Sequence, residues 1–118
     1  MELNDFLALQ TRLFEKAVKE IKRKNPEYAR NGDVLAQFKR IAEKQKVSPE
    51  KVVLIFLEKH LDAIQHQVDA GEVLPSSENF EGRLIDVINY FSLLQALSAD
   101  RVEKVREEKA NALAPVRN

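Results

Sequence analysis

Apolar positions return every three or four residues over most of the chain, the spacing of helices with one face turned inward. Leu3, Phe6, Leu7, Phe14, Ala17, Val18 and Ile21 predict a long amphipathic helix from about Asn4 to Lys24, which Asn25-Pro26 should end. Glu27 to Gly32 reads as a loop with a turn at Asn31-Gly32, and Asp33 is placed to cap a short helix carrying Val34, Leu35, Phe38, Ile41 and Ala42. The clearest start follows: Ser48 at the cap, Pro49 at the first helical position and Glu50 in the positive first turn. Val53, Phe56, Leu57, His60, Leu61, Ile64 and Val68 form the stripe of this third helix, and Gly71 is its natural stop. Beyond the break at Pro75-Ser76-Ser77 the pattern predicts a last helix from about Glu78 to Leu97. Val52-Val53-Leu54-Ile55 is a short β-branched run, but it lies inside a capped helical pattern and no strand is predicted.

The expected fold is therefore all-α: one four-helix, antiparallel, bundle-like domain over residues 1–98, followed by a charged helical extension and disordered tail over 99–118. Asp100 to Ala110 is almost wholly charged, with Val102 and Val105 as its apolar positions, and Ala112 to Asn118 contains Pro115. A chain of 118 residues can bury a single core, and its three Gly and four Pro suit a helical reading. The absence of cysteine excludes disulfides and thiolate chemistry. No apolar run approaches the ~18 residues of a membrane-spanning helix, and Glu2 and Asp5 replace the basic start of a signal peptide, so a cytoplasmic location is expected.

Charge alters the picture locally. The chain as a whole balances 19 basic against 19 acidic residues, which gives no global field toward nucleic acid or membrane. Lys16 to Lys46, however, holds ten Lys or Arg against four acids, and Glu58 to Glu103 holds nine acids against three bases. Such polarity suits a phosphate-bearing ligand between unlike walls, a self-complementary dimer, or simply solvated helix faces. Lys22-Arg23-Lys24 could touch nucleic acid, but Glu20, Glu27 and Asp33 interrupt the stretch, and no sequence-specific reader is expected.

Three groups of residues are candidates for chemistry. Asp86, Asn89 and Tyr90 share a side of the last helix with Leu93 and Leu97, and a carboxylate on an apolar face must be paired, protonated or bound to something. The competing reading is a satisfied packing network in which Asp86 accepts from an arginine or a backbone cap. His60 lies at the centre of the third helix's stripe with Lys59 beside it, where it could meet a phosphate, transfer a proton, or be a core histidine satisfied by neighbours. Glu78 and Glu81, with Asp86 further along, could share a hard cation such as Mg²⁺, or could merely complement the helix dipole. No Gly-rich phosphate loop or nucleophile triad is present.

Lys24-Asn25-Pro26-Glu27-Tyr28-Ala29, Phe38, Lys59-His60-Leu61-Asp62-Ala63-Ile64, and Glu78 to Leu94 with its Asp86-Val87-Ile88-Asn89-Tyr90, together resemble small helical bacteriophage proteins related to the nucleotide-modification-associated domain. Those proteins in turn are similar to the MazG-like all-α nucleotide pyrophosphohydrolases. The likeness covers about residues 20–97. It implies that Tyr28, Lys59, His60, Asp86 and Asn89 face one cleft and that Glu78 is the family's leading acid. Two departures stand out: Gly82 occupies a position where relatives carry an acid, and of the paired metal motifs of the pyrophosphohydrolases only Glu78-x-x-Glu81 is matched.

The leading functional expectation is a phage-type protein that holds a nucleotide-like phosphate ligand between the middle and last helices, in the host cell cytoplasm. Tyr28 would stack on a base, Arg30 or Arg40 would meet phosphate, and Asp86, Asn89 and Tyr90 would line the ligand, with Mg²⁺ permitting pyrophosphate cleavage. A non-catalytic sponge for a host-defence nucleotide and a protein-protein interaction module are the alternatives, and a homo-oligomer is expected.

Overall fold

The computed structural model describes residues 1–28, 32–74 and 79–113, with the side chains of residues 27 and 28 left out. Tyr28's side chain, Arg30, Glu78, the Pro75-Ser76-Ser77 break and the tail beyond Leu113 thus lie outside the described residues. Within them the chain forms four helices and no strand: α1 (Leu3–Tyr28), α2 (Ala36–Gln45), α3 (Pro49–Asp69) and α4 (Phe80–Leu113). This is the all-α, bundle-like architecture that the spacing predicts.

Each boundary has a local cause. Ser48 Oγ accepts the Lys51 N–H (3.2 Å) at the start of α3, with Pro49 at the first helical position. Past the end of α3, Gly71 takes a φ of +74°, which a side chain would resist. Asp33 does not sit at the cap of α2. Its Oδ1 instead accepts the Leu35 N–H (2.9 Å) in a local turn, its Oδ2 holds Lys39 (3.0 Å), and the helix begins two residues later than an Asp33 cap would start it, with Leu35 at the cap position. α1 runs through Pro26 rather than ending before it. The proline falls in the last turn, where one lost backbone bond matters least. α4 crosses residue 98 without a break, so the charged extension continues the helix to Leu113.

Seven side chains from α2, α3, α4 and the turn before α2 form the core: Leu35, Phe38, Ala42, Val52, Val53, Leu93 and Leu97. Phe38 is its centre, meeting Phe56 edge-on with ring centroids 6.0 Å apart. Both α1 and α3 pack against α4. α3 runs antiparallel to α4, with Glu50 near Arg101 and His60 near Arg83. α1 runs in the same direction as α4: Leu9 and Leu13 face Phe80 and Leu84, while Ile21 faces Tyr90 and Leu93. The reason is the length of α2. Ten residues span ~15 Å, too short to retrace the ~39 Å of α1, so α3 makes the return and α4 climbs beside α1.

The result is long rather than round. The radius of gyration is 18.7 Å, against about 13.5 Å for a compact chain of this size, and the longest extent is 68 Å. Residues 1–12 of the α1 end and 101–113 of the α4 end are exposed throughout.

Candidate functional site

Helical spacing puts Lys16, Lys19, Glu20, Arg23 and Lys24 on one flank of α1. Gly82, Ile85 and Asp86 of α4 face them across a groove of about 570 Å³. Four cations and two carboxylates line this groove, so its walls carry a net positive charge. Gly82 leaves open space where a side chain would stand, with nothing within 4 Å of a Cβ built there.

Lys16, Arg23 and Lys24 are held in ion pairs near the surface. Lys16 Nζ lies 2.8 Å from Glu81 Oε1, and Arg23 grips Glu20 with two nitrogens at 2.6 and 3.1 Å. That grip, together with the charges of Arg23 and Lys24, lowers the Glu20 pKa against the opposing effect of burial. Lys24 Nζ reaches Asp86 Oδ1 at 3.1 Å and Glu20 at 3.7 Å. The Asp86 side chain is 21% exposed, on the rim of the groove rather than sealed inside.

Behind Asp86 the site is closed by α3. His60 Nδ1 stands 3.7 Å from Asp86 Oδ2 and 3.3 Å from an Arg83 nitrogen. Arginine can only donate, so this contact makes Nδ1 the acceptor and leaves the proton on Nε2 of a neutral ring. Burial is the main reason the His60 pKa is lowered; the Asp86 charge works against it, while Arg83, Lys24 and Lys59 add to it. The imidazole rests on Tyr90 (5.2 Å between ring centres), Tyr90 on Phe56 (6.2 Å), and Phe56 on Phe38, which ties the site to the core through a row of rings.

The residues singled out in the sequence separate into those gathered here and those placed elsewhere. Asp86, His60 and Tyr90 converge. Asn89 joins them by donating its Nδ2 to the Ala17 carbonyl (3.0 Å), fastening α4 to α1. The gap enclosed by Ile21, Lys24, Asp86, Asn89, Tyr90 and Leu93 is about 10 Å³, room for a water at most. Asp86 is thus the member of the trio that lines the open groove. Arg40 on α2 and Lys59 on α3 are exposed and line none of these cavities. Glu81 faces Lys16 and Asp86 faces Lys24, and no three His, Asp or Glu side chains gather to hold a metal ion among the described residues. No step through Mg²⁺ follows from this arrangement.

Lys16, Lys19 and Arg83 were not singled out by sequence, Arg23 only within a basic run, and Lys24 within that run and at the head of the Lys24–Ala29 motif. The signal was the repeat of bases three and four apart from Lys16 to Lys24, which places them on one flank once the helix is granted. No family model matches the chain, and neither does any curated protein or solved structure.

Proposed function

We propose that the protein binds a phosphate-bearing small molecule of the nucleotide class in the groove between α1 and α4. The observation that carries this reading is a groove of small-molecule size walled by Lys16, Lys19, Arg23 and Lys24, with the carboxylates of Glu20 on the α1 side and Asp86 on the α4 side. Exposed ion pairs are worth only ~0–1 kcal/mol, so a dianionic phosphate can draw Lys16 and Arg23 from their present partners at small expense. Arg23 already presents a two-nitrogen fork to a carboxylate, the geometry that also fits phosphate. Asp86 accepts from a sugar hydroxyl or a base amino group, which would select a nucleotide over free phosphate. The resemblance over residues 20–97 supports the same ligand class, with the cationic wall moved from the α3 side to the α1 side of α4.

Calorimetric titration with nucleoside mono-, di- and triphosphates and with inorganic pyrophosphate, each with and without Mg²⁺, tests this. Binding is expected to weaken as salt rises and to fall about tenfold in Arg23→Gln. Equal affinity for pyrophosphate would remove the nucleotide from the reading, and absence of heat with every compound would end it. Product analysis of the same mixtures separates a sponge from a hydrolase.

A second reading rests on the mates of Asp86: Lys24 from α1 and His60 from α3 meet it on α4, which would make the trio a fastening between three helices. Asp86→Asn distinguishes the two. A fastening predicts a lower melting temperature with ligand affinity intact, and a ligand site predicts the reverse.

A further inference from the structure

The flank of α1 opposite the cationic groove carries a stripe of large apolar side chains that none of the described residues covers. Leu3 is 69% exposed, Leu7 44%, Phe14 47% and Val18 51%, and they recur at helical spacing on one face. Phe14 continues onto α4, where it forms with Ile88 and Phe91, the latter 54% exposed, a shallow groove of about 510 Å³. Together these surfaces expose on the order of 500 Å² of apolar area, the upper range for a monomer's largest patch and most of the ~800 Å² each partner buries in a standard interface.

We infer that this face binds a second copy of the chain, with the two α1 helices antiparallel about a two-fold axis between Gln10 and Thr11. Two observations select that occupant and that direction. First, the stripe is symmetric about this point: Leu3 is as far from it as Val18, and Leu7 as far as Phe14, so antiparallel pairing sets Leu3 against Val18 and Leu7 against Phe14, twice over. Second, the first turns of α1 run beyond the start of α4, since Leu9 already lies level with Phe80, so Leu3 and Leu7 are free to enter the Phe14–Ile88–Phe91 groove of another molecule. Lys19 and Arg23 point away from this seam, so the dimer and the proposed ligand site stand or fall separately.

Sedimentation equilibrium of the full chain tests the inference. The expected species has twice the 13.5 kDa chain mass, and Leu7→Glu weakens the association by at least ~30-fold. The helical signal of that variant should be preserved, because Leu7 is exposed within one copy. The chain lacks cysteine, so direction can be read by oxidising an equal mixture of Leu3→Cys and Val18→Cys chains. A mixed disulfide between the two is expected as the main product. A wild-type chain that stays monomeric at 100 µM, an assembly that Leu7→Glu leaves intact, or disulfides formed only between like chains would each overturn it.

Discussion

Replacing Phe38 with alanine should remove a large share of the stability of the molecule, with its helices still unfolding together. The ring is 1% exposed and lies amid the seven side chains of the core, edge-on to Phe56 at 6.0 Å. Burial of a phenylalanine removes ~150–250 Å² from water, worth about 4–6 kcal/mol at 25 cal/mol per Å², and alanine retains about a third of that. The lost edge-on ring contact adds ~1 kcal/mol, so the sum is about 4 kcal/mol, within the ~3–5 kcal/mol of comparable truncations. For a chain whose whole stability is ~5–15 kcal/mol, this is a large share. Urea unfolding followed by circular dichroism at 222 nm and by tyrosine emission measures it. With a slope of ~1.5 kcal/mol per M, the midpoint should fall by roughly 2–3 M, with both signals moving together. Leu61→Ala serves as the comparison, since that side chain is 45% exposed and should change stability by less than ~1 kcal/mol. A Phe38→Ala chain within ~1 kcal/mol of wild type, or one that loses helix in a separate early step, would refute the view that α2 plugs a single shared core.

Two further predictions concern pH. The pKa of His60 is lowered in the fold, chiefly by burial, so the folded chain binds fewer protons than the unfolded one; stability is complete above the unfolded value of ~6.5 and is lost as pH falls below it. The melting temperature should drop between pH 7 and 5 and drop less in His60→Gln, and a nuclear magnetic resonance titration placing His60 at or above ~6.5 would refute this. The Glu50 carboxylate, gripped by the Arg101 guanidinium, is pulled from 4.5 down to about 2, so it contributes stability above its unfolded pKa that disappears as pH falls through that interval. Urea midpoints at pH 5 and 3 should differ less in Glu50→Gln than in wild type, and equal differences would remove the pair from the acid response.

Features written in neighbouring residues were legible in the sequence. Ser48-Pro49-Glu50 announces α3 because the cap, the proline and the acid each act within one turn, and Gly71 marks its end because the left-handed backbone it adopts resists a side chain. Asp86 was legible as a carboxylate in need of a partner, but the partner was not: Lys24 lies 62 residues earlier, and the Ala17 carbonyl that takes Asn89 lies 72 residues from it. Such contacts depend on the direction in which α1 passes α4, and that depends on α2 being too short to reverse the chain. The charged stretch after Asp100 was ambiguous because it lacks a buried stripe. Contacts on its near side, Asp100 to Lys39 at 3.3 Å and Arg101 to Glu50, fix the start from which the helix continues.

The parallel course of α1 and α4 also orders assembly in time. The α3–α4 contact from His60 to Arg83 closes a loop of 23 residues, whereas the α1–α4 bonds Lys16–Glu81, Lys24–Asp86 and Asn89–Ala17 span 65, 62 and 72. Longer closures carry more entropy, and the core lies in α2, α3, α4 and the adjoining turn, so these segments should condense first and α1 should dock last. Amide hydrogens in α1 would then exchange fastest through partial opening, and the cationic groove would exist only in molecules that have completed the final step.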